Sequence, residues 1–87
     1  MHAVVTRVTI NDNDAAESHL HEQVVPGVSQ APGFVAGYWT RKAGTGLAMV
    51  LFESEDAANA VAERVPSMLT DAVTLEGTEV REVVANA

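Results

Sequence analysis

The hydrophobic positions change period along the first third of the chain. Residues 2–10 alternate between two faces and are rich in β-branched side chains, which predicts a strand. One face holds His2, Val4, Thr6, Val8 and Ile10, and the other holds Ala3, Val5, Arg7 and Thr9. Apolar residues then recur every four positions at Ala16, Leu20, Val24 and Val28, which predicts a helix capped by Asn13 or Asp14. Pro26-Gly27 should interrupt this helix or start a further short turn, and Pro32-Gly33 should end the segment.

The rest of the chain predicts two strands, a helix and a last strand. A strand over Phe34–Lys42 and a nearly continuous apolar strand over Leu47–Glu53 are joined by a short glycine-containing loop. On the earlier strand, alternation places Phe34, Ala36, Tyr38 and Thr40 on one face and Val35, Gly37, Trp39 and Arg41 on the other. Ser54 should cap the second helix and Pro66 should end it. The last strand is predicted over Thr74–Val84, with a bulge or bend at Gly77.

This order of elements, βαββαβ, predicts one ferredoxin-like α+β domain over residues 1–87. Its four-stranded antiparallel sheet should carry both helices on one face. The first and last strand patterns are apolar on both faces, although a sheet covered on one side needs only one apolar face. A second copy of the chain is the simplest cover for the other face, so we expect a homodimer that pairs through its sheets.

Charge and composition exclude several classes of function. The formal net charge is −7 with only five Lys and Arg residues, which argues against binding to nucleic acid or to an acidic membrane surface. No cysteine is present, so disulfides, thiolate catalysis and cysteine-based zinc sites are excluded. No apolar run approaches the roughly 20 residues of a membrane-spanning helix, and no signal peptide is evident at the N-terminus. We therefore expect a cytoplasmic protein.

Two segments resemble the dimeric α/β-barrel superfamily, which includes the antibiotic-biosynthesis monooxygenase-like proteins. Residues 30–39, QAPGFVAGYW, resemble the Pro-Gly-Phe entry to the family's second strand. Residues 47–63, LAMVLFESEDAANAVAE, resemble its third strand and its acidic, alanine-rich second helix. The resemblance implies a homodimer whose sheets face each other in a barrel, with a cavity between the sheet and the helices of each protomer.

The activities of this superfamily are varied, and the resemblance leaves the reaction open. Its members include cofactor-free quinone-forming monooxygenases, heme-degrading enzymes and small proteins with no assigned activity. The heme-degrading branch has a His on the second helix and a Trp on the third strand, and neither residue is present there in this chain. We therefore expect no cofactor and no metal. If the protein is an enzyme, the resemblance favours cofactor-independent oxygenation of an electron-rich aromatic.

Four residues are candidates for a site. His19 lies beside the apolar stripe of the first helix and could act as a catalytic acid or base in a cavity, whereas His21 could simply pair with Glu17. Arg7 could anchor a carboxylate or phenolate, or could form a salt bridge with Glu79 or Glu82 on a neighbouring strand or across the dimer. Tyr38 and Trp39 are adjacent and so face opposite sides of the sheet, and either could bind the substrate or form core or interface.

Two functional hypotheses follow. The first is a homodimer that binds a small apolar or aromatic molecule, with His19 as base and Arg7, Tyr38 and Trp39 as binding residues. The alternative is a non-catalytic binding or assembly module whose core is filled by its own side chains. A cavity of about 300 Å³ or more, lined by His19 or Arg7, would favour the first hypothesis.

Overall fold

The computed structural model describes residues Met1–Ala87. The strands are β1 (His2–Ile10), β2 (Phe34–Lys42), β3 (Thr45–Phe52) and β4 (Val73–Glu82). The helices are α1 (Asn13–His19), α2 (Val25–Ser29) and α3 (Glu55–Met68), with a π-helical turn over Leu20–Val24 between α1 and α2. The residues that join α1, the π-helical turn and α2 all have helical backbone angles, so these three elements form one continuous body, which we call the first helical segment.

The four strands form one antiparallel sheet in the order β2-β3-β1-β4. The predicted ferredoxin-like fold is therefore confirmed. The apolar run in β3 is explained by its central position, and the alternating β1 pairs with both β3 and β4. No helix of the chain has the combination of length and hydropathy that crossing a membrane would require.

The first helical segment begins and bends differently from the prediction. Its N-cap is Asp12, whose Oδ1 accepts from the backbone N–H of Ala15 at 3.1 Å, so the prediction of Asn13 or Asp14 was wrong. Pro26 lies in the first turn of α2, the short helix that begins at Val25, so the Pro26-Gly27 pair starts a further helical turn, as one of the two predictions held, and does not interrupt the segment. One residue before Pro26, Val25 closes the π-helical turn by donating its N–H to the Leu20 carbonyl. This wider turn relieves the crowding that a proline ring causes against the carbonyl four residues earlier.

Helix α3 is capped as predicted but ends later. The Ser54 side chain accepts from Ala57 N–H at 3.1 Å. Pro66 lies inside the helix, which continues to Met68, so the prediction that it ends the helix was wrong. A proline in the last turn removes one hydrogen bond but leaves the donors after it intact. The helix stops where the backbone of Leu69 becomes extended.

A bulge near the start of β2 changes which residues share a face. Phe34 pairs with Phe52, but Ala36 pairs with the preceding residue of β3, Leu51, so Val35 is extra. Phe34 packs edge-on against the buried Phe52 on the helix side, with the ring centroids 6.2 Å apart. The prediction that Phe34 and Tyr38 share one face was therefore wrong, because an inserted residue reverses a period-two pattern.

The hydrophobic core lies between the sheet and the helices. Its buried members come from β1, from β3, and from the first helical segment and α3, which we call the two helical layers. They are Val4, Val28, Val50, Phe52, Ala58, Val61 and Val65. The opposite face of the sheet, which we call the open face, carries apolar side chains on its β1, β2 and β3 parts and no helix. Its β4 part carries Glu79 and Arg81, which pair at 3.6 Å, so β4 is not apolar on both faces as expected.

Candidate functional site

A cavity of about 420 Å³ lies between the sheet and the two helical layers. Of its 25 lining residues, 17 are hydrophobic. The lining includes five buried valines, namely Val4, Val28, Val50, Val61 and Val65. The exposed polar members are Glu17, His21, Thr40, Arg41 and Thr70, which places them at the mouth. The interior is thus an apolar chamber with a charged entrance, within the size range of small-molecule sites.

His19 lines the cavity and connects the two helical layers. Its Nε2 is 2.7 Å from the carbonyl oxygen of Met68, the last residue of α3. A carbonyl oxygen only accepts, so Nε2 carries the proton and donates it to this bond. In the neutral ring, Nδ1 is then the nitrogen that can accept a proton. The same bond gives a partner to one of the carbonyls that a helix leaves unpaired at its C-terminal end.

Trp39 is the one of the two adjacent aromatic residues that faces the cavity. Its ring lies over Gly37, so close that a Cβ added at Gly37 would be 2.7 Å from two ring carbons. Only a residue without a side chain at this position allows the ring to lie against the strand. Tyr38 points to the open face and is 62% exposed.

Three charged or titratable side chains form the mouth of the cavity, and we call them the mouth cluster: Glu17, His21 and Arg41. Arg41 Nη1 is 3.5 Å from one carboxylate oxygen of Glu17, and His21 Nε2 is 3.9 Å from the other. His21 therefore pairs with Glu17, as one of the sequence interpretations held. Arg41 was not singled out from the sequence, although it is two residues from Trp39 and on the same predicted face.

Arg7 lies on the open face, away from the cavity. It makes no ion pair with Glu79, Glu82 or any other acidic residue. Its guanidinium instead lies over Gly77, where an added Cβ would be 3.0 Å from Nη2. The strand pairing of β1 and β4 shifts here, so the bulge expected at Gly77 is present and leaves room for this side chain.

The structure therefore brings together two of the four candidate residues. His19 and Trp39 line the cavity, whereas Arg7 and Tyr38 share the open face. No group of three or more His, Asp or Glu side chains is arranged to hold a metal ion.

Comparison with protein-family models and with curated proteins gave no match. Among solved structures, the chain matches the heme-degrader MhuD from Mycobacterium tuberculosis, in a structure with two hemes bound in its active site. The TM-score is 0.52 at 20% sequence identity, and the match covers 97% of this chain and 98% of that chain. This agrees, at the level of fold, with the resemblance to the monooxygenase-like superfamily. The chain has the ferredoxin-like fold of this heme degrader over nearly the whole length of both proteins.

Proposed function

We propose that this protein is a homodimer that binds a small apolar or aromatic molecule in the cavity between its sheet and its helices. The observation that carries the proposal is the 420 Å³ chamber lined mainly by valine, leucine and alanine side chains. An interior filled by the chain's own side chains, as in the alternative hypothesis, would leave no such space. Trp39 offers the bound molecule an aromatic surface, and His19 offers it a polar contact.

Heme is the ligand named for the structural neighbour. In this lining, His19 through Nδ1, His21 and Met68 are the side chains with an atom that could ligate an iron. The Nε2 of His19 is engaged with the Met68 carbonyl at 2.7 Å, and His21 is 70% exposed beside Glu17. The proposal rests on the apolar chamber and includes no step at a heme.

The catalytic form of the proposal is oxygenation of a phenolic ring to a quinone by O₂. One oxygen atom bonds to a ring carbon, and the other leaves as water with the hydrogen of that carbon and the phenol hydrogen. The substrate supplies the electrons. His19 Nδ1 would take the phenol proton, and the apolar chamber would exclude water from the reactive anion.

The open face supports self-association. Tyr38 pairs with Met49, and Met49 pairs with Val5, so these side chains form a continuous row across three strands. Met49 and its neighbour Leu47 are 44% and 46% exposed. An apolar surface of this kind on a sheet is covered in stable proteins, and a second copy presents a matching apolar row.

Thermal shift with quinols, other small aromatics, flavins and heme tests the binding proposal. A ligand present at about 100 times its Kd should stabilise the protein by about 2.7 kcal/mol. Ala48→Phe, which fills the cavity from β3, should remove the shift, while Ala60→Phe on the exposed side of α3 should keep it. Binding that survives Ala48→Phe would place the ligand elsewhere and contradict the proposal.

The catalytic form has its own test. His19→Gln keeps an amide N–H that can donate to the Met68 carbonyl but has no basic nitrogen. We expect this variant still to bind a quinol, through the apolar chamber and Trp39, and to lose quinol-dependent O₂ uptake. Equal O₂ uptake by the variant and the parent protein would rule out His19 as the base.

A further inference from the structure

We infer that Arg41 is an anion-binding subsite at the cavity mouth, so that the ligand has an aromatic body and one acidic group. This inference rests on the proposed binding function and specifies its ligand class. The residue expected to anchor an anion, Arg7, lies on the open face, and Arg41 takes that position at the cavity.

The charged and hydrogen-bonding side chains around the cavity favour an acidic ligand. Arg41 is the one Lys or Arg side chain in the lining, and Glu17 is the one acidic side chain. His21 adds a further N–H donor at the mouth, whereas the Nε2–H of His19 is already used by the Met68 carbonyl. Donors for an anion therefore outnumber acceptors for a cation, which favours an acidic ligand over a basic one.

The present partner of Arg41 can be exchanged. The Nη1–Oε2 distance to Glu17 is 3.5 Å, and both side chains are about half exposed. An exposed ion pair of this kind contributes little to stability. A guanidinium binds a carboxylate or sulfonate more strongly through two parallel hydrogen bonds. An incoming anion can thus replace Glu17, which still has His21 Nε2 within 3.9 Å of its other carboxylate oxygen.

The position of Arg41 relative to Trp39 specifies the shape of the ligand. The two residues are two positions apart on β2 and both line the cavity. Strand geometry separates their backbone positions by about 6.7 Å. An aromatic ring against Trp39 with its acidic group at Arg41 matches this spacing, with the apolar remainder of the molecule in the valine-lined interior.

A matched pair of fluorescent probes tests the inference. Anilinonaphthalene sulfonate and phenylnaphthylamine share one aromatic body, and only the first is an anion. We expect Arg41→Gln to lower the affinity for the sulfonate by about tenfold, the size expected for a hydrogen-bonded charge, and to leave the affinity for the neutral probe unchanged. Glu17→Gln should raise the affinity for the sulfonate, because the carboxylate that competes for Arg41 is removed. Arg41→Lys should keep part of the affinity that Arg41→Gln loses.

The control is Arg81→Gln, which removes a cation from a similar exposed pair at 3.6 Å on the open face. This variant should leave the affinity for both probes unchanged. Equal effects of Arg41→Gln on both probes, or no effect on either, would overturn the anion subsite while the neutral probe still reports the cavity. If Ala48→Phe fails to reduce binding of the neutral probe, the proposed binding function is itself contradicted.

Discussion

Gly33 and Gly44 have nearly the same positive φ angle in different surroundings. Their φ angles are +80° and +81°, in the region that L-residues with a Cβ rarely adopt. A Cβ added at Gly44 would have no atom within 4 Å, whereas one added at Gly33 would be 2.9 Å from the Cβ of Ala57 on α3. Gly33 therefore has a packing role in addition to its conformational one, because it lets the turn before β2 touch the start of α3.

We predict that Gly44→Ala lowers the free energy of unfolding by about 1–2 kcal/mol, the cost of the left-handed backbone. Gly33→Ala should cost at least about 1 kcal/mol more, because the new methyl group overlaps Ala57. Chemical denaturation measures both values. In an Ala57→Gly background, which removes the methyl group that is struck, Gly33→Ala should cost only about as much as Gly44→Ala does in the parent protein, and a larger cost there would show that the clash is not its cause.

At the scale of residues, the sequence placed side chains only as far as its alternation held. The two faces of β1 are as predicted, and the neighbouring residues Arg7 and Val8 lie on opposite faces of the sheet. On β2, the extra residue at Val35 broke the alternation, and no composition signal marks it. The pairing of Arg41 with Glu17 joins residues on separate elements, α1 and β2, so only the three-dimensional structure could reveal it.

The first helical segment rests on a single side-chain cap at its start. Asp12 Oδ1 accepts from Ala15 N–H at 3.1 Å, and no side-chain cap is formed at the π-helical turn or at α2. No residue of α1 is buried. Helix α1 therefore depends on its cap and on the His19 bond to α3 more than on burial, whereas α2 contributes Val28 to the core.

We predict that Asp12→Ala lowers the free energy of unfolding by about 1 kcal/mol, the usual value of an N-cap side chain. Asn13→Ala, one residue later and without a cap bond, should change it by much less. Urea denaturation of the two variants makes the comparison. A larger loss for Asn13→Ala would mean that the cap is assigned to the wrong residue.

At the scale of elements, the sequence indicated the type and order of the strands and helices because each has a distinct period. Element ends were harder to predict. Asp12, Asn13 and Asp14 are all good caps by composition, and only the backbone angles select Asp12. Pro66 reads as a helix end, but its position in the last turn makes it tolerable within the helix.

The whole molecule has two unequal faces. The helix side encloses the core and the cavity, and the open face leaves Tyr38, Leu47 and Met49 at the surface. The sequence predicted an uncovered apolar face, because one chain of this length cannot cover both sides of its sheet. It did not predict the cavity volume. That volume is a small difference between two larger ones, the space that the helices enclose over the sheet and the volume of the side chains that fill it.

We predict that Met49→Lys converts a dimer to a monomer, because the charge falls at the centre of the apolar row on the open face. Sedimentation at micromolar concentration should show this change. Ala60→Lys, a similar substitution at an exposed position of α3, should leave the dimer intact. A parent protein that sediments as a monomer would remove the basis for the prediction.

The contrast between Tyr38 and Trp39 has an optical consequence. The chain has one residue of each type, and they are adjacent on β2 with their rings on opposite sides of the sheet. Tryptophan emission should therefore report on events inside the chamber, and tyrosine absorbance on events at the outer surface. Because both chromophores belong to the polypeptide itself, ligand binding in the chamber and self-association through the open face can be followed separately in one unlabelled sample.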